Sequence, residues 1–241
     1  MNAARTAEKI SQRVDSVLDA ISRPEPDTER GPVRRTLLAT IALMGMLGGA
    51  GIGAFGLDDA SRLLGPVFSA LKVPLLITAT TLVCIPGLFV LTTIAGLRED
   101  WSASLRAILR GQAAMTCVLA AVAPITVFLY ISGIGYRAAH LWNAAVFTVA
   151  ALVAQAVMRR AYRPLIAARP RHRVLLVTWL VFYAFVGIQS AWMLRPFIGA
   201  PGATPTFIRD EPLGNAFVVV ARLLLDWKGH NPPSRPEGYP Y

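Results

Sequence analysis

Three histidines and two adjacent acidic pairs are the side chains of this sequence best suited to acid–base chemistry. They are widely separated: His140, His172, His230, Asp58-Asp59 and Glu99-Asp100. His172 lies in the arginine-rich stretch 159–173, whose charges could hold a phosphate or a phospholipid head group. The HExxH, GxSxG, Walker A, CxxC and EF-hand patterns do not occur. The sequence therefore predicts no catalytic, cofactor or metal site, and a lipid enzyme acting through His172 is the remaining catalytic alternative.

Neutral polar residues inside long apolar blocks are a second group with possible chemistry. Threonines crowd the second block, and amides lie in later ones. They could line a path for a neutral solute, although membrane threonines often bond to their own backbone and amides often bond between helices. The candidate lining residues are Thr78, Thr80, Thr81, Asn143 and Gln189. No Asp, Glu, Lys or Arg lies in any block, which argues against an ion-coupled transporter.

A row of glycines in the first block indicates close helix packing. Gly45, Gly49 and Gly53 repeat every fourth residue, and small residues at this spacing let two helix backbones approach closely in lipid. The pattern does not reveal whether the partner helix belongs to this chain or to another one.

The elements that must position these residues are membrane-spanning helices. The chain is 54% hydrophobic and 16% charged, whereas soluble domains carry about 25% charged residues. Roughly 20 apolar residues cross a bilayer as a helix. Five charge-free blocks are long enough: 37–55, 73–97, 111–136, 138–158 and 174–194. The sequence predicts an all-α, polytopic bundle of five transmembrane helices.

Lysine and arginine are distributed unevenly among the connections between these blocks. Alternate connections carry twice as many on one side as on the other, and the richer side is normally cytoplasmic. The sequence therefore predicts a multi-pass protein of the bacterial inner membrane, with a cytoplasmic N-terminus and the C-terminal segment outside. The net charge of +10 is then a topology signal facing the lipid bilayer, and no nucleic-acid partner is expected.

The segments outside the bilayer divide the chain further. We expect a cytoplasmic amphipathic helix (1–22), a polar Pro-rich linker (23–35), the transmembrane domain (36–195), an outer cap with an interfacial helix (196–228) and a disordered Pro-rich tail (229–241). The first helix carries a heptad seam, which suits either a surface helix or a dimerisation helix. Its main residues are Ile10, Val14, Val17 and Ile21.

The exit from the last block predicts the start of the outer cap. Its residues are Arg195, Pro196, Phe197, Ile198 and Gly199. The arginine can reach the outer head groups while the two apolar side chains return to the acyl boundary, and proline fixes the turn between them. The same residues are a candidate contact surface for a partner.

The stretch GIQSAWMLRPFIG, together with LVCIPGLFVLTTIAG in the second block, resembles a group of uncharacterised bacterial polytopic membrane proteins. These proteins share a Q-x-A-W-x-L-R-P-F-I-G exit from the last span. In topology alone, the chain is also similar to Yip1-type five-span proteins. Neither resemblance implies an activity.

These observations favour a non-enzymatic scaffold or accessory subunit that assembles with itself or with other membrane protein subunits. Contacts would use the glycine row, the heptad seam and the outer cap. The alternative is a channel or carrier for a small neutral solute or a lipid, lined by the polar residues of the second block and those opposite.

Overall fold

The computed structural model describes residues 30–56 and 64–194, together with the single positions 8, 12, 15, 17, 21, 197, 198 and 207. Residues 30–56 and 64–194 form five long helices and one short 3-10 turn at Arg98–Asp100. The helices are α1 (Arg30–Gly53), α2 (Leu64–Ile94), α3 (Trp101–Ile131), α4 (Tyr136–Ala168) and α5 (Arg171–Met193). No strand occurs in the described residues. All five helices are long and apolar enough to cross a membrane, as in a multi-pass membrane protein.

The helices extend beyond the charge-free blocks that predict them. α2 begins nine residues before the block at 73–97, and α3 begins ten residues before the block at 111–136. Lys72 and Arg110 are therefore helical, and both are buried, at 1% and 8% exposure. The helices are thus longer than the charge-free blocks, and these two charges lie just outside the blocks at 73–97 and 111–136. Packing against protein shields both side chains from lipid, and both have interaction partners.

α1 lies between α2 and α3 and uses glycines on both sides. Gly45, Gly49 and Gly53 face α2, where an added Cβ at Gly53 would lie 2.5 Å from the Gly65 carbonyl oxygen. Gly48 faces α3, where an added Cβ would lie 2.7 Å from Leu119 Cβ. The glycine row is thus in contact with α2 of the same chain.

The outer pairs of the bundle are α2 with α5 and α3 with α4. Small residues again mark the contacts: a Cβ on Gly87 would meet the Phe182 ring at 3.2 Å, and one on Gly111 would lie 3.0 Å from the Ala154 carbonyl oxygen. α2 makes few contacts with α3, and α4 makes few with α5. The order around the bundle is therefore α5, α2, α1, α3, α4, with a space between the outer helices that is open where α4 and α5 approach each other.

The two ends of the bundle have different connections. We call the end with the Arg98–Asp100 turn and the α4–α5 connection the His172 end. The opposite end, with the α1–α2 and α3–α4 connections, is the Tyr136 end, where Phe55 packs edge-on against Tyr130. One apolar cluster, around Leu88 and Trp179, lies at the His172 end, and a small one of Ala54, Tyr130 and Ala139 lies at the Tyr136 end. A third cluster, which contains Leu37 and Ile77, extends along α1.

The prolines inside helices do not interrupt them. Pro86 lies within continuous α2, Pro124 within α3 and Pro164 within α4. In lipid, neighbouring helices and threonine hydroxyls can satisfy the backbone groups that a proline leaves unbonded.

Candidate intramembrane binding cavity

A cavity that is open on one side lies between α2, α3, α4 and α5. Its volume is about 660 Å³, within the range of pockets that hold small molecules. The four helices contribute nearly all of its wall, and Phe197, from the segment after α5, contributes the rest. No wall residue carries a charge. Such a surface suits an apolar or neutral ligand.

The back and the front of this cavity differ in exposure. Most wall residues from α2 and α3, such as Ile77, Thr80 and Ile108, are buried. Those from α4 and α5 include the exposed residues Ala151 and Ala184. Because α4 and α5 make few contacts with each other, the cavity opens between these two helices.

Three residues of the wall carry buried polar atoms without a hydrogen-bond partner. These atoms are the Thr80 hydroxyl, the Gln155 side-chain carbonyl oxygen and the Trp179 indole N–H. Among the described residues, only three other buried side-chain polar atoms lack a partner. Since buried polar groups are nearly always paired in native structures, the cavity wall is unusual in gathering three that are not.

A polar bridge crosses from α3 to α2 beside the cavity. The Gln112 amide donates to the Thr81 hydroxyl, and that hydroxyl donates to the Ile77 carbonyl oxygen at 2.7 Å. The Tyr183 side chain from α5 interacts with both residues. This bridge joins three helices where α2 and α3 have few other contacts.

The predicted lining residues do not share one surface. Thr80 lies in the cavity wall and Thr81 lies in the polar bridge. Thr78 is exposed on the outside of α2. Asn143 is buried elsewhere, where its amide donates to the Ala139 carbonyl oxygen at 2.8 Å and to the Tyr130 hydroxyl. Gln189 is half-buried on α5 and is not part of the cavity wall.

The predicted start of the outer cap is described only at Phe197 and Ile198. The Ser69 hydroxyl donates to the Phe197 carbonyl oxygen at 2.6 Å, and Ile198 is 4% exposed in the apolar cluster that contains Leu37 and Ile77. The burial of Ile198 in protein contradicts the expectation that it enters the acyl boundary, whereas the Phe197 side chain is half-buried and packs against the same cluster. Arg195, Pro196 and Gly199 lie outside the described residues.

The heptad seam is also described only in part. Val17 and Ile21 are helical and half-buried, and Ile21 packs against the apolar cluster that contains Val33. Ile10 and Val14 lie outside the described residues. The contact of Ile21 is the one expected of a helix that rests on the bundle.

A second group of functional side chains lies at the His172 end. His172 is fully buried in the first turn of α5, and not in a loop as its sequence context indicates. Its Nε2 lies 2.9 Å from Asp100 Oδ2, and Arg169 Nη2 lies 3.0 Å from Glu99 Oε2. The hydrogen bond to Glu99, with the charge of Asp100, raises the pKa of Arg169 above its usual value. The group is an ion-paired clamp between the α2–α3 turn and α5.

The clamp does not have the geometry of a metal or catalytic site. No cluster of three His, Cys, Asp or Glu side chains in the described residues could hold a metal ion. The His172 side chain has no exposed surface, so a substrate cannot contact it in this conformation. Its contacts are those of a residue that positions a helix end.

Sequence reasoning missed Trp179 as a residue of the cavity. Its place one to two turns inside the fifth block suggests an interfacial aromatic belt, but Trp179 is 3% exposed and packs at 4.8 Å from the Tyr183 ring. Gln155 and Gln112 are both recognisable in the sequence as polar residues in apolar blocks. Nothing in the sequence indicates that Gln155 leaves an unpartnered atom on the cavity wall while Gln112 bonds in the polar bridge. Only the helix packing distinguishes the wall from the bridge.

Comparison with known proteins yields no relative: no protein-family model, no curated protein and no solved structure matches the chain. The resemblances to the polytopic proteins with the Q-x-A-W-x-L-R-P-F-I-G exit and to Yip1-type proteins therefore stay predictions.

Proposed function

We propose that this protein is a carrier or binding protein for a lipid or small neutral solute, which occupies the cavity between α2, α3, α4 and α5. The observation that supports this best is the 660 Å³ cavity itself, because helix bundles generally fill their interior with side chains. An apolar pocket with a few polar groups is the usual form of a small-molecule site. We place the protein in the bacterial inner membrane, with the His172 end in the cytoplasm.

The scaffold hypothesis remains the alternative proposal. One of its three contact surfaces, the glycine row Gly45, Gly49 and Gly53, is occupied by α2 of the same chain. The other two are the heptad seam and the outer cap, most of whose residues lie outside the described part of the chain. The cavity therefore has the stronger physical support.

A cavity-filling substitution tests the carrier proposal. Ala151 is an exposed α4 residue of the cavity wall, and Ala156 is an exposed α4 residue outside the wall. The full-length Ala151→Phe and Ala156→Phe variants would be purified in mild detergent, and bound molecules would be identified by native mass spectrometry. We expect the wild-type protein and Ala156→Phe to retain a bound molecule, and Ala151→Phe to lose it.

The same spectra decide between the two proposals. Equal retention by both variants would contradict the carrier proposal. A second protein chain bound at a fixed ratio, with no small molecule in any sample, would support the accessory-subunit proposal instead.

A further inference from the structure

The three unpartnered polar atoms of the cavity wall restrict the chemistry of its ligand. Thr80 and Trp179 are almost fully buried, at 1% and 3% exposure, and Gln155 is half-buried. Leaving a buried donor or acceptor unpaired costs about 1–3 kcal/mol. Three such atoms on one cavity are consistent with a ligand that supplies their partners.

Other polar groups near the cavity are satisfied within the protein. Gln112 and Thr81 bond to each other, and the Thr148 hydroxyl donates to the Ala144 carbonyl oxygen at 2.8 Å. The unpartnered atoms therefore do not reflect a general shortage of partners in this region.

The hydrogen-bonding capacities of these atoms indicate a hydroxyl group. The Trp179 indole only donates, the Gln155 carbonyl oxygen only accepts, and the Thr80 hydroxyl does both. A ligand hydroxyl can accept from the first and donate to the second. A carboxylate or phosphate would find no cation on the wall, and burying an unpaired charge among apolar residues is strongly unfavourable.

The opening of the cavity indicates where the ligand comes from. Ala151, Ala184 and Ile188 are exposed wall residues on α4 and α5. The outward-facing residues beside them are large and apolar, among them Val181 and Phe185. A window with apolar borders, between two helices that each span the membrane, faces lipid and not water.

We infer that the cavity binds a neutral lipid alcohol, a molecule with a long hydrocarbon chain and an uncharged hydroxyl head. The lipid enters from the bilayer between α4 and α5. Its hydroxyl bonds to polar groups among Gln155, Thr80 and Trp179, and its chain contacts the apolar wall. This inference rests on the proposed function, because it names the class of ligand for the same cavity.

Three probes of similar chain length test the head group: 1-oleoylglycerol, which is a neutral lipid alcohol; oleate, which is charged; and octadecane, which has no head group. Each would be titrated into the full-length, delipidated protein in detergent, and binding would be measured by native mass spectrometry. We expect 1-oleoylglycerol to bind about tenfold more tightly than either other probe, since one good hydrogen bond is worth about that factor.

Two polar substitutions and one matched control test the residues. Gln155→Leu and Thr80→Val remove unpartnered atoms, and we expect each to weaken 1-oleoylglycerol binding by about 5- to 10-fold. Thr92→Val is the control, because Thr92 is buried on the same helix, lies outside the wall and bonds to its own backbone at 2.8 Å. It should leave binding within about twofold of wild type.

Thermal stability of the lipid-free variants excludes a purely structural role. Replacing an unpartnered buried polar group by an apolar one of similar shape is neutral or stabilising. Thr80→Val should therefore keep or raise the melting temperature while it weakens lipid binding. A fall in both quantities would contradict the inference.

The outcomes for the inference and for the proposed function are separable. If all three probes bind the wild-type protein equally and Ala151→Phe abolishes their binding, the cavity is a ligand site but the lipid-alcohol inference is wrong. If Ala151→Phe leaves the binding of every probe unchanged, both proposals are wrong.

Discussion

The Nε2 atom of His172 lies 2.9 Å from the Asp100 carboxylate, although the two residues are 72 positions apart in the chain. The imidazole is fully buried, and the Asp100 side chain is about one quarter exposed. The contact connects the turn between α2 and α3 to the first turn of α5. It therefore holds together the His172 end of two helices that enclose the cavity.

Removing the Asp100 carboxylate should destabilise the fold more than removing its neighbour. Asp100→Ala leaves a fully buried imidazole without its partner, which should lower the free energy of unfolding by about 1–3 kcal/mol. Glu99→Ala removes an exposed ion pair with Arg169, in which Glu99 is 83% exposed, and should cost under about 1 kcal/mol. Unfolding by SDS in mixed micelles measures both, and equal losses would contradict the clamp.

The close contact between α1 and α2 predicts that an added methyl group destabilises the fold at Gly49 but not at a glycine with open space around it. In Gly49→Ala the new Cβ would overlap the Ser69 backbone, so we expect a loss of about 1–3 kcal/mol of unfolding free energy. Gly135→Ala is the control, since its Cβ would meet nothing within 4 Å and its φ of -66° suits alanine. The same SDS titration measures both variants. Similar stability of the two would mean that the close approach at Gly49 is not required.

The bridge between Gln112 and Thr81 should show energetic coupling. Hydrogen bonds between membrane helices contribute about 0.6 kcal/mol on average and up to about 1.7 kcal/mol. We expect a coupling in this range from the double-mutant cycle of Gln112→Leu and Thr81→Val. Pairing Gln112→Leu with Thr92→Val should give none, because Thr92 lies roughly 16 Å further along α2. Coupling of the second pair as large as that of the first would overturn the assignment.

The predicted orientation can be measured by labelling single cysteines. Ser132 is exposed at the Tyr136 end and Ala168 is exposed at the His172 end. With Cys84 and Cys117 replaced by alanine, a membrane-impermeant maleimide applied to spheroplasts should modify Ser132→Cys directly and Ala168→Cys only after lysis. The reverse pattern would place the N-terminus outside.

The sequence predicts the number of long helices because hydropathy acts locally. An apolar block of about 20 residues favours a spanning helix whatever its neighbours are, and five such blocks correspond to α1–α5. The helix ends were less predictable. Lys72 and Arg110 looked like boundaries, but both are buried inside helices, because protein contacts can shield a charge that lipid would not.

Which residues contact each other could be learned only from the tertiary structure. Glu99-Asp100 and His172 were visible as polar residues near block ends, yet nothing in the sequence connects positions 72 residues apart. The glycine row indicated close packing without naming its partner, and the structure places it against α2. Phe197 and Ile198 suited a lipid boundary equally well, and only packing placed them in protein contacts.

By itself, therefore, the sequence determined that the chain forms five apolar helices with polar residues at scattered internal positions. Only the tertiary structure decided that Thr80 lies on a cavity wall, that Thr81 lies in a bridge and that Thr78 faces outward. The physical reason is that lipid is as apolar as a protein core, so both faces of a membrane helix carry similar residues. Hydrophobic periodicity then does not indicate which face of a helix points into the bundle. The packing of the other helices determines which side chains are in contact.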